Sequence, residues 1–125
     1  MHSPNLQGRS ILIVEDEPLI ALDVAQAFEK AGARVAKTNL YREALALIEE
    51  DDLSAVVLDH AIGDHDSTAL CARLKERSIP FVNYTGFSVL AAACQDAPHI
   101  KKPTPPSVLV QTVAQLLVHG PKSSP

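Results

Sequence analysis

At 125 residues, with 46% hydrophobic and 21% charged residues, the chain is the size of one ordinary domain with a proper hydrophobic core. A formal net charge of −4 gives no electrostatic reason for a nucleic-acid partner, and no run approaches the ~18 apolar residues of a membrane span. The opening Met1-His2-Ser3-Pro4-Asn5 lacks the basic-then-apolar pattern of a signal peptide, so a cytoplasmic protein with no membrane partner is expected. In such a reducing compartment Cys71 and Cys94, far apart and without a C-x-x-C, read as small buried hydrophobes rather than a disulfide or a metal pair.

In chain order, a first strand over Arg9 to Val14 carries the run I-L-I-V and is followed by Glu15-Asp16-Glu17 and Pro18, a favoured first residue of a helix. From Pro18 to Ala31 the positions Ile20, Val24, Phe28 and Ala31 share one helical face, and Gly32 is placed to end it. A second strand, Arg34 to Lys37, leads through a Thr38-Asn39 cap into a helix over Tyr41 to Glu50 with Ala44, Leu45 and Ile48 inward. Ala55 to Leu58, A-V-V-L, has the length and branching of a strand buried on both faces, and Asp59 follows at once. A loop with Gly63, Asp64 and Asp66 precedes a third helix, about Ser67 to Arg77; Ile79 to Tyr84 is a fourth strand, ending at Thr85-Gly86. A short fourth helix over Ser88 to Gln95, a brief strand around Pro98 to Lys101 and a last helix from Pro105 to Val118 complete the chain. Residues 9–119 thus form the domain, with 1–8 and 120–125 as short flexible tails.

Strict alternation of strands and helices implies an α/β fold, a five-stranded parallel sheet with right-handed crossovers and helices on both faces. Its common solution is the flavodoxin-like order 2-1-3-4-5, where ligands bind beyond the carboxyl ends of the strands at the switch point between the first and third. Glu15, Asp16 and Asp59 would share that pocket. Crowded carboxylates call for a raised pKa or a cation, and a hard ion such as Mg²⁺ suits oxygen ligands. With a Thr85 hydroxyl and a Lys102 ammonium at neighbouring strand ends, the set contains what phosphoryl transfer requires: a carboxylate nucleophile, a metal site, and a cation and donor for the phosphoryl oxygens.

These residues carry a resemblance. I-L-I-V-E-D-E-P-L-I at the first strand, V-V-L-D at the third, Y-T-G after the fourth and K-K-P before the last helix resemble, in order and spacing, the CheY-like receiver domains of bacterial two-component response regulators, over about residues 9 to 119. The resemblance implies that Asp59 is the phospho-acceptor, Asp16 a direct ligand of Mg²⁺, Glu15 a ligand through water and Ala61 a ligand through its backbone carbonyl. It also implies that Thr85 is the switch hydroxyl, that Lys102 pairs with the phosphoryl group, and that Lys102-Pro103 is cis. Pro80 to Phe87, P-F-V-N-Y-T-G-F, is similar to a P-F-x-F-x-T-G-Y signature of a subgroup of stand-alone receivers.

There are departures. His99 stands three residues before Lys102, where many receivers keep a Tyr or Phe; Phe87 is the candidate to replace that aromatic. The loop after Asp59, H-A-I-G-D-H-D, lacks the proline of many receivers. Its His60, His65, Asp64 and Asp66 read as a solvated acidic stretch rather than a transition-metal site, and His99 as a packed or edge histidine.

From Pro103 to Val118 no residue is charged, and Val108, Val110, Ala114 and Val118 widen the apolar face beyond what one sheet contact needs, which points to a homodimer or partner surface. The resemblance implies a single-domain response regulator of a phosphorelay, with no output domain after it. It would take a phosphoryl group from a sensor histidine kinase or phosphotransfer protein and signal through a downstream protein or serve as a phosphate sink. It would not be an enzyme beyond catalysing its own phosphorylation and dephosphorylation. The rival readings are a phosphorylation-independent interaction module and an aspartyl-nucleophile phosphatase, the latter opposed by Ala61 where that class places a second Asp.

Overall fold

Alternation with a period of two sorts the strand residues between two core layers. In β1 (Ser10–Val14), Ile11 and Ile13 enter one layer and Leu12 and Val14 the other; in β3 (Ala55–Leu58), Ala55 and Val57 separate from Val56 and Leu58 in the same way. Both strands are buried from both sides, as their uninterrupted apolar runs require. The computed structural model describes residues 4–50, 52–60, 67–86 and 92–119.

The first layer is covered by α1 (Pro18–Lys30), through Val24, Ala25 and Phe28, and by α4 (Pro106–His119), through Leu109, Val110, Val113 and Leu116. On the opposite side lie α2 (Tyr41–Glu50), with Ala44 and Ile48, and α3 (Thr68–Glu76), with Leu70, Cys71 and Leu74. The sheet runs β2-β1-β3-β4-β5, all parallel, with β2 (Arg34–Thr38), β4 (Phe81–Thr85) and β5 (His99–Lys101) completing it. This is the predicted order. Gly32 closes α1 at φ +100°, a left-handed value, and a Cβ there would press on the Gln7 backbone nitrogen at 3.2 Å.

Three expectations need correction. Residues 4–8 are not loose: Leu6 is 2% exposed, its amide donating to Ala31 O at 2.7 Å, because a leucine beside the end of α1 can fill the edge of the first layer. Between β4 and β5 the described part of the predicted fourth helix is a single 3-10 turn, Ala92–Cys94; residues 88–91 lie outside the described residues. On α4, Val110 is buried at 5%, facing the α1 side of the core, so the surplus apolar surface is narrower than the wheel implied. Val108 and Val118 remain exposed and Ala114 is half-buried.

Candidate functional site

The parallel register sets Val14 opposite both Thr38 and Leu58, so the chain leaves β1 and β3 at one level. One further ladder bond on each side holds the next residue: Glu15 N–H donates to Thr38 O at 3.0 Å and Asp59 N–H to Val14 O at 2.9 Å. Glu15 and Asp59 are therefore carried by extended, hydrogen-bonded backbone, and both are buried. The Glu15 carboxylate accepts from Glu17 N–H at 3.0 Å, which turns the chain toward α1, while Asp16 is exposed.

Across the sheet, Lys102 N–H donates to Thr85 O at 3.1 Å, extending the β4–β5 ladder, and the Lys102-Pro103 bond is cis as expected. From this anchor the lysine reaches inward: its Nζ lies 2.8 Å from Glu15 Oε1 and 3.2 Å from Asp59 Oδ2. The Tyr84 ring sits under the ammonium, 5.4 Å from its centroid. The Tyr84 hydroxyl is fixed in turn, donating to Thr104 O at 3.0 Å and accepting from Thr104 N–H at 3.3 Å. Thr85, buried at the end of β4, brings its side chain to the same end of the sheet.

The electrostatics follow from this packing. Burial raises the Glu15 carboxyl above the usual carboxylate range and the neighbouring Asp59 adds to the rise, against the opposing hydrogen bonds from Lys102 and Glu17. Burial pulls the Lys102 ammonium down, but the hydrogen bond to Glu15 and the charges of Asp59 and Glu15 outweigh it and leave its pKa raised. Among the described residues, the two buried carboxylates Glu15 and Asp59 against one ammonium leave the pocket net negative, with exposed Asp16 next in the chain, and these donors are hard oxygens. That donor set fits a small divalent cation, with Asp16, Asp59 and Glu15 as the groups that would hold it. Ala61, the expected carbonyl ligand, lies outside the described residues, as do Phe87 and the loop residues Asp64, His65 and Asp66.

His60 does not fit the expected solvated loop. It is half-buried, with Nε2 2.6 Å from Asn83 Oδ1, because the odd residues of β4 face the α3 side and place the Asn83 amide beneath it. Asn83 Nδ2 donates to Cys94 O at 2.9 Å and lies near Ala97 O and Pro98 O at 3.4 and 3.3 Å. Sequence reasoning passed over Asn83, although a polar residue of poor strand preference inside F-V-N-Y-T was the available signal. His99 is exposed on the edge strand, consistent with its reading as an edge residue.

The expectation for the cysteines is overturned. Cys71 on α3 and Cys94 in the 3-10 turn are joined in a disulfide, with Cα atoms 5.2 Å apart across a sequence separation of 23. No local spacing announces this; the two meet because α3 and the turn pack side by side against one face of the sheet.

A doubly covered parallel sheet with an acidic pocket and a bridging lysine at its carboxyl end defines the class, and the comparisons with known proteins agree. The profile of the response regulator receiver domain matches residues 11–114, and the chain belongs to that family, the CheY-like receivers of two-component systems. It is 35% identical over 74 residues to the transcriptional regulatory protein TcrA of Mycobacterium tuberculosis, a match covering 59% of this chain and 29% of TcrA; the chain spans under a third of that relative. A CheY-like receiver domain protein from Methanospirillum hungatei superposes with a TM-score of 0.80 at 28% identity, over 90% of this chain and 95% of that one. The receiver domain of a sensor histidine kinase from Pseudomonas aeruginosa shares the fold, with a TM-score of 0.77 at 19% identity over 89% of this chain and 98% of that one; its structure has magnesium coordinated in the active-site cleft.

Proposed function

We propose that this receiver accepts a phosphoryl group on Asp59 from the phosphohistidine of a sensor kinase or phosphotransfer protein. It then signals by altered protein contacts or serves as a phosphate sink. The observation that carries the reading is the bridge of Lys102 to both Glu15 and Asp59, buried where three strands end together.

The ladder bond from Asp59 N–H to Val14 O fixes the nucleophile's backbone, so its carboxylate is aimed before the donor arrives. An Asp59 oxygen forms the new bond to phosphorus as the phosphorus–nitrogen bond of the donor histidine breaks, and the imidazole leaves with that bond's electrons and takes up a proton. Lys102 stays beside the acceptor oxygen and pairs with the charge on the transferred group. Thr85 donates its hydroxyl to a phosphoryl oxygen and draws the following segment with it. Asp16 and Asp59, with Glu15 through water, would hold Mg²⁺, whose charge would offset the negative charge of the transferred group.

Incubation with acetyl phosphate and Mg²⁺ tests this. The chain gains the mass of one phosphoryl group, the gain is lost with EDTA and absent in Asp59→Asn. Labelling that persists in Asp59→Asn overturns the assignment, and failure of the wild type to label favours the phosphorylation-independent module.

A further inference from the structure

We propose that Cys71 and Cys94 form a reversible redox site, opened by a small dithiol and closed by a peroxide, whose state sets how firmly the Ala92–Cys94 turn is held to α3 and, through Asn83 and His60, to the neighbour of Asp59. The two cysteines belong to the elements that follow the two loops of the pocket. α3 is the helix after the Asp59 loop, and the 3-10 turn comes after Thr85 and Gly86. The disulfide thus joins covalently the two elements that follow those loops in the chain. A second connection runs through hydrogen bonds: Cys94 O accepts from Asn83 Nδ2 at 2.9 Å, and Asn83 Oδ1 meets His60 Nε2 at 2.6 Å, one residue from Asp59. With the bond closed, the turn is tied to α3 covalently and to the Asp59 neighbour through Asn83; with it open, packing and hydrogen bonds hold it without the covalent tie.

Both cysteines are fully buried, so exchange needs the turn to lift. That is a small opening. The turn is three residues long, and the bonds that close it, Gln95 N–H to Ala92 O at 3.2 Å and Ala97 N–H to Cys94 O at 3.4 Å, are long; Ala92, Gln95 and Asp96 are exposed. Closure removes two electrons and two protons from the thiol pair and forms one sulfur–sulfur bond. Hydrogen peroxide takes both electrons and protons, its O–O bond breaks, and two waters leave. Opening proceeds through a mixed disulfide with the dithiol, which departs as its own disulfide. With the disulfide closed, the two sulfurs and a His60 ring nitrogen all lie within 4.8 Å of one another; once opened, they make an S₂N set that a soft metal ion would compete for, and the proposal commits to the redox pair.

The link to phosphoryl transfer rests on Asp59 being the acceptor; the redox chemistry does not. The test uses the full chain in EDTA, treated with dithiothreitol or hydrogen peroxide, trapped with iodoacetamide and weighed. Two alkyl groups are expected after reduction and none after oxidation, reversibly, and amides in 92–97 exchange at least about fivefold faster in the reduced form. After EDTA is replaced by Mg²⁺, the acetyl phosphate labelling rate differs at least about fivefold between the two states of the wild type and is the same under both treatments in Cys71→Ser/Cys94→Ser. Thiols that never close, a disulfide that dithiothreitol leaves shut, or equal exchange in the two states overturns the redox site. Equal labelling rates with demonstrated interconversion overturn its coupling to the pocket. If neither state labels, the acceptor reading has failed while alkylation and exchange still decide the redox site. Stoichiometric zinc in the reduced protein, prepared without EDTA, that blocks closure by peroxide overturns the proposal in favour of a metal site.

Discussion

Replacing Lys102 with methionine keeps much of the side chain's length and removes the charge that Glu15 and Asp59 share. The ammonium is 2.8 Å from one carboxylate and 3.2 Å from the other, and those carboxylates are 3% and 4% exposed. At an effective dielectric of ~20 each contact carries roughly 5 kcal/mol of gross Coulomb attraction, most of it offset by desolvation. What survives is the cost of leaving buried charge unpaired, ~3–5 kcal/mol when one partner is deleted. Glu15 can relieve part of this by taking up a proton, so the expected loss near neutral pH is about 2–4 kcal/mol, or a fall of roughly 1–2 M in the urea midpoint.

The pH dependence separates this account from simple loss of packing. Glu15 has its folded pKa raised by burial, so the folded state binds the extra proton and stability falls as pH rises from the ordinary carboxyl value of 4.5 through the raised one. Without Lys102, whose hydrogen bond opposes that rise, the window widens upward. The variant's deficit should therefore grow from pH 5 to pH 7.5, and adding Asp59→Asn, which removes the second buried charge, should recover most of it. Urea titrations of the four proteins at both pH values give the cycle. A deficit below about 0.5 kcal/mol at pH 7.5, or one that grows on acidification, refutes the reasoning.

At the alkaline end, the stability from the raised Lys102 pKa is fully present below the ordinary lysine value of 10.5 and is lost as pH climbs through the folded one; urea midpoints of the wild type should drop there and those of Lys102→Met stay flatter. Asn83→Ala leaves Cys94 O and His60 without their amide partner and should cost about 1–3 kcal/mol, read by thermal unfolding. Leu109→Ala, at a fully buried position between α4 and the sheet, should cost ~2–5 kcal/mol in the same measurement. In each case a change within the error of the method counts against the contact named.

The fold was readable because its code is local and repetitive. I-L-I-V and A-V-V-L say strands buried on both faces, the spacing of Val24 and Phe28 says a covering helix, and strict alternation leaves few sheet orders. The pocket was readable for the same reason: Glu15, Asp59 and Lys102 each follow a strand and Thr85 ends one, so topology alone brings them to one end of the sheet. What escaped notice depends on tertiary neighbours. Cys71 and Cys94 carry no spacing signal, and Asn83 meets His60 only because β4 turns its odd face toward α3. Leu6 looked like a tail residue because nothing in Met1 to Gly8 reveals that the end of α1 has space for it. On α4 a helical wheel gives angles but not how far α1 reaches, and that reach covers Val110.

Lys102 has two attachments that act at different places, and this bears on how the proposed phosphorylation would travel. Its backbone N–H is held by Thr85 O, while its ammonium is shared between Glu15 and Asp59. A phosphoryl group on Asp59 adds negative charge on one side of that ammonium, so the balance between its two carboxylate partners shifts toward Asp59. The Thr85 hydroxyl would be drawn to the same group, on the residue whose carbonyl anchors Lys102. The β4–β5 hydrogen bond would then lie between two groups pulled toward one phosphoryl, and the stretch of chain that contains Cys94 would be pulled with it. A disulfide fastening that chain to α3 opposes the same displacement, which is why the redox state and the phosphoryl group should be felt at one another's sites.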